Sequence, residues 1–211
     1  PVPEPEPEPV PEPEPEPVLE PEPEPGLNFP ANTILTDVND NVYEVSISGQ
    51  LISSNITSTL PKDDVAEVQI GSDVTTVGNK AFRDFHNMHT VTMADSVTTL
   101  GYKSFANCGS LSNITLSENL TTILGDALSS SGIESITIPN TVTRIDAAVF
   151  YNCTSLQSIT IPDSVTILGW RICYNNTELT SAIIGNGITS LPLWTFRLCS
   201  KLESVTISNY S

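Results

Sequence analysis

The sequence predicts a β-rich solenoid of 23-residue coils, with a hairpin cap at its N-terminal end and a polyproline II arm before the cap. Three observations predict this organisation. A 23-residue repeat recurs six times, each repeat contains a stretch that alternates apolar and hydroxyl side chains, and the composition changes sharply near residue 26. A repeat of this length cannot bury its own apolar edge, so successive repeats must stack on one another.

Residues 1–26 form an acidic arm of low complexity in which proline alternates with glutamate. Twelve of the 17 prolines and nine of the 25 acidic residues lie in this arm, which contains no Lys or Arg. Proline fixes φ and lacks the amide donor, so the arm is predicted to form neither helix nor sheet. We expect a polyproline II conformation, which at about 3.1 Å per residue gives a reach of roughly 75–80 Å.

The charge balance excludes two classes of partner. The chain has eight Lys and Arg in total and a formal net charge of −17. So few cations neutralise few phosphates, and we therefore expect no nucleic-acid binding and no docking on anionic membranes. No apolar run approaches 18 residues, so no membrane insertion is predicted. Because the sequence starts at Pro1, we expect that a secretion signal has been removed.

Residues 27–50 are predicted to form the N-terminal cap. Residues 34–38 and 42–47 are rich in strand-forming side chains, and Asn39, Asp40 and Asn41 between them favour a tight turn. The pattern predicts a hairpin that covers the first coil.

Residues 51–211 are predicted to form the solenoid. Six clear repeats begin at Val74, Val97, Leu120, Val142, Val165 and Ile188. Residues 51–73 form one further, degenerate coil, and the third clear repeat lacks one residue near Ser131 and Gly132. The second position of every clear repeat is Thr, and the ninth is mostly large and apolar. The ninth-position residues are Phe82, Phe105, Leu128, Phe150, Cys173 and Phe196.

Each repeat is predicted to contribute two short extended segments. Alternation such as Ser-Ile-Thr-Ile at residues 158–161 marks a strand with its apolar side chains inward. A Pro or Gly then reverses the chain direction, and a second extended segment follows, such as residues 142–145. Strands of successive coils are expected to form parallel sheets with a spacing of about 4.8 Å.

The repeats resemble the BspA-type leucine-rich repeat. The unit that starts at Val142 carries the resemblance, with Val-Thr-Arg-Ile followed by Val-Phe-Tyr-Asn-Cys-Thr-Ser-Leu-Gln-Ser-Ile-Thr-Ile-Pro from Val149. The resemblance covers residues 51–211 and implies a leucine-rich-repeat solenoid. It also implies a secreted or cell-surface protein that acts in adhesion, matrix binding or coaggregation. The family has no shared catalytic site, so no enzyme activity is expected.

The four cysteines are interpreted as small buried apolar residues. Cys108, Cys153 and Cys199 share repeat position twelve but lie two coils apart, about 9–10 Å, which is beyond disulfide reach. Cys173 replaces the core Phe. A bond between Cys173 and Cys199, in neighbouring coils, is the one pairing that the spacing leaves open.

No catalytic, cofactor-binding or metal site is predicted. His86 and His89 form half of a zinc site at most and are interpreted as loop residues. Four oxygen-bearing residues are spaced as in a calcium loop: Asp37, Asn39, Asn41 and Glu44. The Gly that such a loop needs is replaced by Val42. A plain hairpin turn is the favoured interpretation.

Six Asn-X-Ser/Thr sequons occur, and N-glycosylation in a eukaryotic source is predicted at Asn55, Asn113, Asn119 and Asn209. The other two sequons, at Asn152 and Asn175, occupy a repeat position that is expected to be Asn for structural reasons.

The outward strand positions predict an exposed sheet face of small polar residues. Its central row is Thr92, Thr115, Thr137, Thr160 and Thr206, with Ile183 in the fifth repeat. This face lacks the Tyr, Trp and Arg side chains that dominate binding hot spots. Its flat threonine array suggests ice binding as a remote alternative.

The last strand predicts an assembly edge formed by Ser204, Val205, Thr206 and Ile207. If Ser211 is the native C-terminus, the open last coil exposes core and strand edge, which head-to-tail contact with an identical subunit would cover. We therefore expect an extracellular structural protein, a fibre or surface-layer subunit with its Pro-Glu arm on neighbouring subunits. The alternative is an adhesin on a Pro-Glu stalk that binds matrix or surface proteins. Neither function requires a cofactor.

Overall fold

The computed structural model describes residues 31–47 and 49–207. The predicted arm at residues 1–26 and Asn209 lie outside the described residues. The strands are β1 Thr33–Asp37, β2 Val42–Val45, β3 Gly49–Leu51, β4 Val65–Ile70, β5 Val74–Val77, β6 Thr90–Met93, β7 Thr99–Leu100, β8 Asn113–Thr115, β9 Thr122–Ile123, β10 Arg144–Ile145, β11 Ser158–Ile161, β12 Ile167–Leu168, β13 Ser181–Ile184 and β14 Ser204–Ile207. Helix α1 (Ser53–Thr57) and a 3₁₀ turn (Lys62–Asp64) lie between β3 and β4.

The chain winds into a solenoid whose strands form three sheets on two faces. One face is a parallel sheet in the order β3-β5-β7-β9-β10-β12. The other face carries the sheets β2-β1-β4-β6-β8 and β11-β13-β14. Paired residues on neighbouring coils lie 23 positions apart, as in Thr76–Thr99 and Thr99–Thr122. The predicted solenoid of 23-residue coils is therefore confirmed.

The core is built from the apolar repeat positions. The ninth-position side chains Phe82, Phe105, Leu128 and Phe150 are fully buried, and Cys173 at the same position is 1% exposed. The rings of Phe82 and Phe105 stack with their centroids 5.1 Å apart and their planes 3° apart. The invariant Thr at position two also has a structural role. Its hydroxyl donates to the carbonyl oxygen of the matching Thr in the preceding coil at Thr98, Thr121, Thr143 and Thr166.

The third clear repeat interrupts one face of the solenoid. Residues 135–138 belong to no strand, so the face divides between β8 and β11. At the shortened loop the chain passes close to the preceding coil, since a Cβ on Gly132 would lie only 2.2 Å from the Gly109 carbonyl oxygen. The expectation of a continuous sheet face is wrong at this coil, and Thr137 lies outside the sheet.

The N-terminal region forms the predicted hairpin. Strand β1 pairs with β2 in the antiparallel sense and also pairs antiparallel with β4, so the hairpin extends one sheet of the solenoid. The action of this hairpin as a cap stays a prediction. The start of the degenerate coil differs from the predicted register, since Leu51 pairs with Val77 at repeat position four rather than with position one. Its strand is in the expected register, with Val68 and Ile70 paired to Val91 and Met93. Helix α1 takes up the additional length of this coil.

The loop side of each clear repeat contains two residues with left-handed backbone conformation. These residues occupy positions seven and eleven, with φ between 54° and 66°. The pairs are Lys80 and Asp84, Lys103 and Asn107, Asp126 and Ser130, Ala148 and Asn152, Arg171 and Asn175, and Trp194 and Leu198. Two tight turns therefore close every coil, and the side chains at positions six, seven and ten of neighbouring coils lie side by side.

Candidate binding surface

The most unusual surface of the described chain is a cluster of aromatic and arginine side chains on the loop side of the last two repeats. We call it the Trp–Arg patch; its residues are Trp170, Arg171, Tyr174, Trp194 and Arg197. The guanidinium carbon of Arg171 lies 4.5 Å from the ring centroids of both Trp170 and Trp194, and 5.5 Å from that of Tyr174. The guanidinium carbon of Arg197 lies 5.7 Å from the Trp194 ring. Each arrangement is a cation–π contact.

The repeat geometry brings these side chains together. Arg171 and Trp194 occupy position seven of successive coils and both have left-handed backbone conformation, with φ of 58° and 60°. The Arg171 amide donates to the Leu193 carbonyl oxygen at 3.1 Å, which joins the two coils at this point. Tyr174 continues the patch into the preceding coil, because its ring stacks on that of Tyr151 with centroids 5.3 Å apart.

The two arginines of the patch have no carboxylate partner among the described residues. Elsewhere the basic side chains are often paired, as Arg144 is with Asp146 at 2.7 Å and Lys201 with Glu178 at 2.7 Å. The buried Nε of Arg171 makes no hydrogen bond within the described chain. The patch therefore presents two uncompensated positive charges held against aromatic rings.

The patch is accessible and partly apolar. Trp170 is 47% exposed and Trp194 is 37% exposed, and Leu193 and Leu198 beside them are more than half exposed. Trp, Tyr and Arg are the side chains that most often carry binding energy at protein interfaces. The arrangement can therefore hold an anionic ligand that also has an apolar surface.

Sequence reasoning missed this patch. No motif in the sequence marks positions six and seven of the repeat. Aligning those positions would have revealed the signal, because they are Gly125 and Asp126 in the third repeat but Trp170 and Arg171 in the fifth.

The predicted threonine row has uneven geometry. Thr115, Thr160 and Thr206 are exposed on β8, β11 and β14, whereas Thr92 on β6 is half-buried. Thr137 is exposed but lies in the interrupted segment, as described above. The interruption breaks the flat array on which the suggestion of ice binding depended.

The predicted glycosylation sites differ in their surroundings. Asn113 on β8 is exposed, Asn119 is exposed but donates its side-chain amide to the Asp95 carbonyl oxygen, and Asn55 is half-buried in α1. The described sites stay predictions, as does Asn209 outside the described residues.

The predicted assembly edge is exposed. Strand β14 pairs with β13 on one side, and Val205 continues the buried row of Ile159 and Ala182 but is 39% exposed. A groove beside this edge is lined by Ile184, Ile188, Leu191 and Ile207 among others.

Metal-binding chemistry finds no support in the described part of the chain. No group of three or more His, Cys, Asp or Glu side chains in residues 31–47 and 49–207 is placed to hold a metal ion. The oxygen atoms of Asp37 instead close the hairpin turn, accepting hydrogen bonds from the amides of Asn39 and Asn41. The four cysteines are free thiols, and the Cys199 thiol donates to the Cys173 carbonyl oxygen at 2.9 Å.

Comparison with known proteins agrees with this geometry. The sequence profile of the BspA-type leucine-rich repeat region matches residues 61–132 and 125–211, with six copies of the repeat. The chain belongs to the BspA-type leucine-rich repeat family. The comparison with curated protein sequences gives no match. No helix within residues 31–47 and 49–207 has the length and apolar character needed to cross a bilayer.

Solved structures of bacterial leucine-rich repeat proteins share the fold of this BspA-type chain. A T. pallidum leucine-rich repeat protein superposes with a TM-score of 0.67 at 22% identity, over 83% of this chain and 79% of its own. A Bacteroides ovatus leucine-rich repeat protein gives a TM-score of 0.53 at 30% identity, over 67% of this chain and 42% of its own. A leucine-rich cell surface protein of Faecalibacterium prausnitzii gives a TM-score of 0.50 at 24% identity, over 85% of this chain and 39% of its own. The chain thus spans less than half the length of the last two proteins.

Proposed function

We propose that this chain is a non-enzymatic structural protein of the cell surface that assembles end to end with copies of itself. Family membership supports a role carried out by surfaces rather than by a catalytic centre. The description of the F. prausnitzii protein as a cell surface protein supports the location. The observation that carries the assembly proposal is the distribution of exposed apolar side chains.

Exposed large apolar residues are concentrated towards the two ends of the described solenoid. Val38, Val42 and Ile52 lie in the hairpin and the first coil. Eight more belong to the last two coils. Four of them form or border the Trp–Arg patch, and the other four lie outside it: Ile167, Ile183, Leu191 and Val205. Tyr102 is the single exposed large apolar residue between these groups in the described chain. Concentrated exposed apolar surface is typical of protein–protein contacts.

The strand directions suit a head-to-tail contact. Strand β1 runs antiparallel to both β2 and β4, so β2 runs in the same direction as β4. Strand β14 occupies the same repeat position as β4. The β14 edge of one copy and the β2 edge of the next would therefore pair as parallel strands, and a heterologous contact of this kind extends into a filament.

The test compares the full chain with two charge variants by light scattering and negative-stain electron microscopy at rising concentration. We expect the wild type to form rods that lengthen in steps of about 35–50 Å, one solenoid with its hairpin. Val205→Glu places a charge on the exposed edge and is expected to give single rods. Thr160→Glu, on the exposed sheet face between the ends, serves as the control and is expected to assemble like the wild type.

A ligand-binding module on a Pro-Glu stalk is the second candidate, and the Trp–Arg patch is the observation that favours it. Single rods for all three proteins at every concentration would reject end-to-end assembly and leave this adhesin function.

A further inference from the structure

We propose that the Trp–Arg patch is the docking surface for the Pro-Glu segment, residues 1–26, of the same chain or of a neighbouring copy. The inference deepens the proposed function, because it assigns a receiving surface to the arm of the assembling subunit. The Pro-Glu segment matches the patch both in apolar surface and in charge.

The apolar match is between proline rings and exposed indole rings. The patch exposes Trp170 and Trp194, and the segment contains twelve prolines. Aromatic-lined surfaces are the usual receptors of proline-rich segments, because an extended polyproline II chain loses little conformational entropy when it binds. The remaining apolar side chains of the segment are Val2, Val10, Val18 and Leu19.

The charge match is between glutamate and arginine. The segment has nine Glu and no Lys or Arg, and Arg171 and Arg197 have no carboxylate partner among the described residues. The planar guanidinium group binds carboxylates through paired hydrogen bonds and also stacks on aromatic rings, so one side chain serves both contacts. Attraction between the acidic segment and this site also offsets the repulsion among the glutamates themselves.

The alternation of Pro and Glu suits the closeness of ring and cation in the patch. Both guanidinium carbons lie within 6 Å of the Trp194 ring, at 4.5 and 5.7 Å. In polyproline II, adjacent residues are about 3.1 Å apart along the axis, and every Pro of the alternating stretches has a Glu beside it. A Pro that packs on the Trp194 ring therefore has a flexible Glu side chain within reach of a guanidinium group.

The segment is long enough to reach the patch within one chain or between chains. The patch lies about five and a half to six and a half coils from β1, which is roughly 26–31 Å along the solenoid axis. An extended segment of 25 residues spans roughly 75–80 Å. Length alone therefore permits both arrangements, and the experiment must separate them.

The chain's two tryptophans both lie in the patch, so tryptophan fluorescence reports on this site alone. The measurement is acrylamide quenching of the full chain and of a variant with all nine glutamates of residues 1–26 changed to Gln. We expect the quenching constant of the wild type at low salt to be about twofold below that of the variant, because docked prolines cover the indole faces. High salt is expected to raise the wild-type constant toward the variant's, since it screens the ion pairs.

Two point variants and a matched control locate the contact. Arg197→Glu is expected to raise quenching as the Gln variant does. Lys103→Glu makes the same charge change at another exposed aromatic residue, since Lys103 lies 5.0 Å from the Tyr102 ring. The Lys103→Glu variant is expected to have the same quenching constant as the wild type.

The same measurement in the Val205→Glu chain separates the docking from end-to-end assembly. If the tryptophans of single Val205→Glu rods remain protected from acrylamide upon dilution, the segment docks within its own chain. If the protection of the tryptophans disappears upon dilution, the segment docks on a neighbouring copy. Equal quenching in the wild type and the Gln variant overturns the proposal. The proposal is also overturned if a neutral glucan hexasaccharide lowers tryptophan quenching and the Pro-Glu segment does not. That result would indicate that the patch binds a glycan.

Discussion

The side chains of Asn152 and Asn175 meet across two neighbouring coils, where the Nδ2 of Asn175 donates a hydrogen bond of 2.7 Å to the Oδ1 of Asn152. Both residues occupy repeat position eleven and have positive φ, 58° and 62°. Asparagine tolerates this left-handed conformation better than most residues, and its amide also continues the contact between coils. The asparagines at this position therefore have a structural explanation.

Position seven has the same backbone conformation but no residue type in common, and Ala148 gives the sharpest test of it. Its φ is 59°, which costs an L-residue with a Cβ about 1–2 kcal/mol. We expect Ala148→Gly to raise the free energy of unfolding by roughly 0.5–1 kcal/mol, since the relief of strain exceeds the added freedom of the unfolded chain. Chemical denaturation followed by circular dichroism measures the change.

The neighbouring Ala147 supplies the control, because it has no positive φ. Ala147→Gly is expected to lower the free energy of unfolding by about 0.4–1 kcal/mol. The same sign for both variants would contradict the argument from backbone conformation.

The sequence was sufficient to predict the features that are marked by particular residue types at fixed spacing. The 23-residue period, the buried Phe82 and Phe105 and the hairpin turn around Asp40 all follow from residue types at fixed spacing. Position seven could not be predicted, because Lys, Asp, Ala, Arg and Trp share no turn preference and the surrounding coils impose the conformation. The deletion near Gly132 was visible in the sequence, but its effect on residues 135–138 depended on hydrogen bonding between coils. The Trp–Arg patch depended on side-chain packing across coils, which no linear motif records.

The stacked phenylalanines predict where the solenoid is most sensitive to truncation. Phe105 is fully buried and stacks on Phe82, so Phe105→Ala removes a large apolar side chain and leaves a cavity. We expect it to lower the free energy of unfolding by about 3–5 kcal/mol. Tyr102→Ala, an aromatic truncation at a site that is 39% exposed in the same coil, is expected to change stability much less. Urea denaturation of both variants gives the comparison, and comparable losses would show that the ring stack is not part of the tightly packed core.

The cysteines are expected to differ in their reactivity with a thiol reagent. Burial raises the pKa of Cys108 to about 12 and that of Cys153 to about 11, and it raises the pKa of Cys173 well above its usual value. Cys199 is only partly buried, and burial raises its pKa as well. Because the thiolate is the reactive form, native protein near pH 7.5 should react slowly and mainly at Cys199, and faster as the pH rises.

Thiol titration with a chromogenic disulfide measures this difference, and unfolded protein should release all four thiols. Cys199→Ser is expected to abolish the native-state reaction while the three other thiols still react after unfolding. Rapid native reaction of more than one thiol would show that the coils open more readily than their packing indicates.

Asp37 is expected to make the stability of the N-terminal hairpin depend on pH. Hydrogen bonds from the Asn41 side chain and from the backbone amides of Asn41 and Asn39 hold the pKa of the Asp37 carboxyl below its usual value, against the opposing effect of burial. A lowered folded-state pKa stabilises the fold above the unfolded value of about 3.9, and this contribution is lost as the pH falls through the folded-state pKa. The thermal midpoint of Asp37→Asn should therefore lie below that of the wild type at pH 7, and the difference should shrink towards pH 3. Asp40→Asn, an exposed change in the same turn, should show no such trend. If the difference in thermal midpoint between Asp37→Asn and the wild type stays constant from pH 7 to pH 3, the effect of the substitution comes from geometry rather than from ionisation.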